Sequence, residues 1–292
     1  MMAAANKKRK GRTMLQETWH RLIENKGAVI GITFLTILVL AAVFSPFIFD
    51  YEKDVIGQNI SERLMHPNAK HWFGTDEVGR DLFARVIYGA RYSLVIGVGS
   101  VFLGLCVGLV TGSLAGFYGG IVDSLLMRAI DIFYSIPNIM TAVVIVSVLG
   151  TSTVNLMIAL AFSCASSFGR IVRAQVMTIR DQEYVESSYA MGLPTWKIIV
   201  KHILPNCLSP IIVQITLLIG TTIISASSLS FLGIGIPAPA PEWGALLSAG
   251  RSHIRDASYM CIIPGLAIMM TVLALNLLGD GLRDALDPKL KK

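Results

Sequence analysis

The sequence predicts an all-α integral membrane protein of six transmembrane helices with both termini cytoplasmic. Three observations carry this expectation. Of the 292 residues, 53% are hydrophobic and only 15% charged, and the mean hydropathy is +0.63, a balance that soluble domains seldom show. The apolar residues are gathered into six long runs whose cores hold no Asp, Glu, Lys or Arg. The basic residues fall unevenly on the segments between those runs, as positive-inside sorting requires.

Residues 1–26 carry Lys7, Lys8, Arg9, Lys10, Arg12, Arg21 and Lys26, a basic tail expected on the cytoplasmic side. Residues 27–49 are free of charge over 23 positions, enough helix to cross a hydrocarbon core of about 30 Å. The run exceeds the apolar core of a signal peptide, so a first transmembrane helix is expected rather than a cleaved leader. Residues 50–92 form a connector with six basic and seven acidic residues, expected outside. Within it Gly74, Asp76, Gly79, Arg80 and Asp81 have the chemistry of a tight turn followed by an acid-capped helix. That is a structural role, with direct solute contact as the alternative.

Residues 93–282 form the main membrane domain. Its first span, 93–118, places Ser100, Gly104, Gly108, Gly112 and Gly116 at intervals of four. Small residues let helix backbones approach in lipid, so this stripe is expected to be a packing face, with a gap in a translocation path as the alternative. The next apolar segment, 121–150, carries Arg128 and Asp131 at a spacing suited to an ion pair. Pro137 is expected to bend it. A shorter span at 154–168 ends in Ser163, Cys164, Ala165, Ser166 and Ser167, ahead of Gly169 and Arg170.

The loop at 181–205 interrupts this apolar pattern, and its residues 183–205, EYVESSYAMGLPTWKIIVKHILP, carry their own helix punctuation. Asp181 is placed to cap a short helix running to about Met191, where Gly192 supplies a left-handed residue and Pro194 forbids continuation. Thr195 is placed to cap a second helix with Trp196, Ile199, Val200, Ile203 and Leu204 on one face and Lys197 and Lys201 on another, closed by Pro205. Ten helical residues rise only about 15 Å, so each piece is expected to lie beside the membrane.

A further span at 208–235 is rich in Thr221, Thr222, Ser225, Ser227, Ser228 and Ser230. Such hydroxyls either bond their own helix carbonyls or give a weakly polar lining to a solvated path. The proline-rich connector 235–258 is expected outside. The last span, 259–279, contains Pro264, and the tail 283–292 brings Arg283, Lys289, Lys291 and Lys292 to the inside. Cys106, Cys164, Cys207 and Cys261 lie in or beside apolar runs and read as packing residues rather than a disulfide or zinc framework.

In the loop, Glu186, Ser187 and Ser188, then Gly192, then Leu204 and Pro205 resemble the EAA loop of bacterial ABC-importer permeases. Two serines stand for its two alanines, and His202 stands where Ile is usual. The segment HWFGTDEVGRDLFARVIYGARYSL at 71–94, the tetrad Pro241, Glu242, Trp243 and Gly244, and the terminal GDGLRDALDPKLKK resemble the C-type permeases of the dipeptide, oligopeptide and nickel branch. These regions occur in the family's order over nearly the whole chain from about residue 15.

The resemblance implies a type-one ABC importer permease fold in a bacterial cell membrane. It implies a heterodimer with a second, similar permease, two cytoplasmic ATPases and an external solute-binding protein. ATP and Mg would sit on the partner subunits, with no cofactor on this chain. The implied cargo is di- or oligopeptides, with nickel, glutathione or another small solute as alternatives. The resemblance assigns Glu186, Ser187, Ser188, Gly192, Leu204 and Pro205 to the ATPase-coupling loop, and in that branch the loop around Glu242 contributes to the outer vestibule. A capped amphipathic surface helix is the alternative for 183–205.

Other chemistry is excluded by pattern. There is no G-x-x-x-x-G-K-[ST] loop and no Gly-Lys dipeptide, so ATP is not held by that route. Gly97-x-Gly99 and Gly233-x-Gly235 lack the third glycine of a dinucleotide fingerprint. His20, His66, His71, His202 and His253 show no ligand spacing, and neither a catalytic constellation nor a substrate-binding set stands out. An ion-coupled carrier ordinarily needs charges at mid-membrane, and these spans lack them. A membrane scaffold leaves the loop at 181–205 unexplained.

The segments assigned inside hold seven, one, five and four basic residues, 17 of the 25, and the two outer connectors hold the other eight. This asymmetry fixes the expected topology. Cysteines introduced at Asn59 and Ala240 should react with an impermeant thiol reagent in intact cells, and one at Thr195 only after permeabilisation. Labelling of Thr195 from outside contradicts the six-span arrangement.

Overall fold

The computed structural model describes residues 14–286; Lys7, Lys8, Arg9, Lys10, Arg12, Lys289, Lys291 and Lys292 lie outside them. A short helix α1 (Met14–Glu24) leads into α2 (Lys26–Ile48), with Asn25 between them capping α2 by accepting from the Ala28 amide at 3.2 Å. The connector follows without regular strands, its one bridge pairing Thr75 with Asp81. Then come α3 (Leu82–Tyr118), α4 (Gly120–Tyr134), α5 (Asn138–Leu149) and α6 (Thr153–Arg180). The loop supplies α7 (Glu183–Ala190) and α8 (Thr195–Ile198), and the rest of the chain forms α9 (Leu208–Phe231), α10 (Trp243–Gly250) and α11 (Tyr259–Leu286). Among the described residues, five helical stretches are long and apolar enough to cross a membrane, six if α4 and α5 count as one broken span.

The helices run so that α2 lies against α11 from end to end. At one end Leu22, Ala28 and Ala285 share a small core; at the other Ala42, Leu82, Trp243 and Tyr259 share another. Both connectors therefore gather at one end of the bundle, and α1, the α3–α4 turn, the loop and the end of α11 gather at the other. The connector end is tied down by polar contacts. Tyr259 Oη reaches the Thr75 and Met65 carbonyls at 2.8 and 3.0 Å, and Arg85 donates to the Val55 carbonyl at 3.0 Å. Lys70 pairs with Glu62 and holds that carboxyl below its ordinary range.

Gly74 and Gly79 both take a φ of +79°, the left-handed conformation their turn needs. Between them Asp76 accepts from the Val78 and Arg80 amides and pairs with Arg80 Nε at 2.6 Å. Asp81 caps α3 through the Ala84 amide, so this motif builds the turn and helix start. The second connector folds inward. Glu242 and Trp243 are both buried, Glu242 caps α10 through the Ala245 amide at 2.9 Å, and Trp243 Nε1 donates to the Val86 carbonyl. Both side chains are packed into the connector end of the bundle.

Several expected boundaries are corrected. The span expected at 93–118 begins at Leu82, because Asp81 caps it there and Arg85, the charge that hid the start, is compensated within the connector by Val55 and Asp76. The segment expected at 121–150 is two helices meeting at 86°. Pro137 lacks an amide donor and pushes Ile136 out of helical geometry, so the chain breaks rather than bends. Asp131 pairs with Arg170 at 2.8 Å rather than with Arg128. The span expected at 154–168 continues to Arg180, since Arg173 finds Asp123 through two hydrogen bonds at 2.5 and 2.6 Å.

α3 and α6 are in intimate backbone contact along the glycine stripe. A Cβ added at Gly104 would lie 2.4 Å from Cys164 Cβ, at Gly108 2.3 Å from Phe168 Cβ, at Gly112 2.6 Å from the Gly169 carbonyl and at Gly116 2.8 Å from the Arg173 carbonyl. No side chain fits at such separations, so the two backbones meet directly and gain dispersion contacts that lipid cannot replace. Overpacking of this kind costs about 1–3 kcal/mol or more. Leu at Gly104 or Gly108 should lower the thermal midpoint of the solubilised protein and its yield in the membrane. Leu at Gly265, where nothing lies within 4 Å, should leave both near wild type.

Candidate functional site: the loop between α6 and α9

The loop is built as an extension of the bundle. Val185 of α7, Ile198 of α8, and Ile203 and Cys207 beyond it are buried in one core with Phe168, Val172, Val176 and Ile179 of α6. Along 199–203 the helix widens into a π turn, passes through a 3-10 turn at 204–207 and continues as α9. Pro205 therefore does not close the second helix. It sits near the start of the 3-10 turn, where its missing amide is tolerated, and residues 195–231 run as one helical rod.

The π turn also changes which residues face in. Ile198, Ile199 and Ile203 are buried, while Trp196 and Val200, expected on the same face, are exposed. A period of 3.6 places Val200 with Ile203; the wider turn rotates it out. Leu204 is half-buried against the core. His202 is half-buried, and the neighbouring Ile203 fills the apolar slot.

The capping is likewise redistributed. Gln182, not Asp181, stands at the start of α7, and Pro194, not Thr195, stands before α8, neither with a side-chain cap. Asp181 ends α6 and pairs with Arg180 Nε at 3.2 Å, while Arg180 Nη1 donates to the Gly116 carbonyl at 2.9 Å, tying the loop's entry to the end of α3. Gly192 takes a φ of +76°; its amide bonds the Tyr189 carbonyl at 2.8 Å and Leu193 reaches back to Ser188, closing α7 in the manner of a left-handed C-terminal turn. Ser188 is buried and its hydroxyl bonds the Tyr184 carbonyl, which explains a small residue there. Ser187 and Glu186 face outward.

Sequence reasoning missed two anchors, Arg180 and Tyr189, which stacks on Phe117 at 5.9 Å. Burial, with Tyr118 nearby, pushes the Tyr189 phenol above its ordinary range. The outward surface carries Glu186 beside large apolar groups, Met191 at 71% and Trp196 at 61% exposure, with Tyr184 and Val200 also exposed. Large apolar side chains left exposed on one short loop have the composition of a protein-contact surface. Among the described residues no group of His, Cys, Asp or Glu is arranged to hold a metal.

Residues 108–292 match the family of binding-protein-dependent transport system inner membrane components. Residues 13–67 match the N-terminal transmembrane domain of oligopeptide transport permease C. A dipeptide transport system permease of Alkalihalophilus pseudofirmus is 45% identical over 94% of this chain and 90% of its own length. A di/tripeptide transport system permease of Pseudomonas aeruginosa is 42% identical over 95% and 93%. A glutathione transport system permease of Pectobacterium atrosepticum is 41% identical over 96% and 93%. In fold, the chain resembles the methionine ABC transporter MetNI in an inward-facing conformation, with a TM-score of 0.56 at 21% identity over 70% of this chain and 98% of that one. With its all-helical membrane architecture and its loop between α6 and α9, the chain belongs to the family of inner-membrane permease components of binding-protein-dependent ABC transport systems.

Proposed function

We propose that this chain forms half of the translocation pathway of an ATP-driven importer of short peptides, paired with a second, similar permease. An external solute-binding protein delivers the cargo, and two cytoplasmic ATPases bind ATP and Mg, with no cofactor on this chain. The peptide reading is supported by the dipeptide and di/tripeptide permeases among the relatives. The glutathione permease is compatible with it, because glutathione is itself a tripeptide.

The single observation that carries the mechanism is the shared core of the loop and α6. In this reading α7 and the start of α8 seat against an ATPase through Met191, Trp196 and Glu186. When ATP draws the two ATPases together, a loop packed into the same core as α6 transmits that displacement to the bundle instead of absorbing it. Alternating access then follows as a rigid-body movement.

Glu186→Lys and Gly192→Val test this reading. The first reverses an exposed charge on the proposed contact. The second places a side chain at a φ of +76°, which costs about 1–2 kcal/mol and tilts α7. Both variants should insert and accumulate normally yet lose peptide uptake and the stimulation of ATP hydrolysis by loaded binding protein. Wild-type uptake with wild-type ATPase co-purification in both variants would reduce the loop to a capped surface helix.

A further inference from the structure

A second polar feature lies inside the membrane domain, away from the loop. A cavity of about 160 Å³ opens among α4, α5, α6 and α9, walled in part by Tyr134, Asn138, Ser163, Ser167, Thr221 and Ser225. Ser163, Ser167 and Arg170 lie four and three residues apart on one face of α6, and Gln214, Thr221 and Ser225 lie seven and four apart on one face of α9. Gln214 Nε2 joins the two by donating to Ser167 Oγ at 3.1 Å. Beyond Ser167 the seam ends in charge: Arg170 Nη2 donates to Asp131 Oδ1 at 2.8 Å. The guanidinium carbon also sits 4.0 Å from the centroid of the Tyr134 ring, the same ring that walls the cavity.

The seam carries groups ill suited to face lipid. Arg170 stands ten residues from the loop end of α6, about 15 Å along the axis, and the neighbouring α4–α5 break leaves residues 135–137 outside any helix. Beside the hydrocarbon core, non-helical backbone and half-exposed charges are tolerated only against protein or water. Yet in the single chain the Arg170 and Asp131 side chains are 43% and 53% exposed.

We propose that the seam is the part of the solute path contributed by this chain, and that the Asp131–Arg170 pair is its exchange site for a zwitterionic solute. This inference rests on the peptide-importer reading. The solute's ammonium pairs with Asp131 and its terminal carboxylate with Arg170, so one ion pair is traded for two and no charge is left bare. Because the resting state is already compensated, the exchange is nearly balanced and the solute is held weakly enough to leave. Tyr134 keeps the guanidinium in place through its ring face while Asp131 swings away. Thr221 and Ser225 give their protons to the Leu218 and Thr221 carbonyls of α9 at 3.1 and 2.9 Å and so meet the peptide backbone as acceptors, beside Asn138, Ser163, Ser167 and Gln214.

The test uses the complete transporter in proteoliposomes and three probes: trialanine, N-acetyl-trialanine and trialanine amide. For each probe, uptake by a variant is divided by uptake by wild type, so that selection by the binding protein cancels. Asp131→Asn should lower trialanine uptake about tenfold, and N-acetyl-trialanine uptake far less. Arg170→Gln should spare trialanine amide in the same way. Equal ratios for all three probes in both variants, the result expected of a purely structural pair, would overturn the proposal. Should these variants fail to assemble, Thr221→Cys and Ser225→Cys decide: protection from a thiol reagent by trialanine during turnover supports the path, and unchanged labelling refutes it. If wild type takes up none of the probes, the peptide reading itself falls.

Discussion

The architecture depends on one constraint, the continuous core that joins the loop to α6. Phe168, Val172 and Val176 on the helix, and Val185, Ile198 and Ile203 on the loop, are all fully buried at 0% exposure. Interiors packed to this extent transmit strain rather than dissipate it. The loop cannot shift independently without opening that core, and losing even one such side chain from a packed interior costs about 2–5 kcal/mol. Arg180 adds a polar tether to the last carbonyls of α3, so the loop reports on two helices at once.

The second constraint is the glycine contact between α3 and α6. In lipid there is little hydrophobic gain from bringing two apolar helices together, so close backbone approach has to supply the attraction. The four glycines allow it over residues 104–116 of α3 and 164–176 of α6, and Gly169 on α6 gives the same relief to Ile130 of α4. The two constraints compose. A displacement entering at the loop passes into α6 through the buried core and from α6 into α3 through the glycine face, while the broken α4–α5 pair remains the less closely held part of the bundle. The polar seam lies against that break, where relative movement is easiest.

Much of this was legible in the sequence. The apolar runs, the four-residue glycine interval and the left-handed Gly192 each follow from a local rule, and the all-helical membrane fold emerged from them. What escaped was tertiary. Arg85 and Arg170 made helix interiors look like connectors, because Val55 and Asp131, which help to compensate them, lie 30 and 39 residues away in sequence. Pro205 looked like a stop, yet its missing amide falls in a 3-10 turn where it is harmless. The π turn at 199–203 exchanged Val200 for Ile198 in the buried set, a shift that 3.6-residue periodicity cannot anticipate. Asp181 had the right chemistry for a cap and was claimed instead by Arg180.

The central claim, that the loop and the α3–α6 pair move as one body, is tested most directly by a distance within this chain. Spin labels at the exposed Lys201 on the loop and at Val110 on the exposed flank of α3 can be followed in the assembled transporter by pulsed electron paramagnetic resonance, without nucleotide and with ATP trapped. Rigid coupling predicts a separation that changes by less than about 2 Å between the two states, while labels on the two permease subunits move apart or together. A change within this chain of about 5 Å or more, the size of a one-turn slip, would show that the loop moves on its own and would contradict the account.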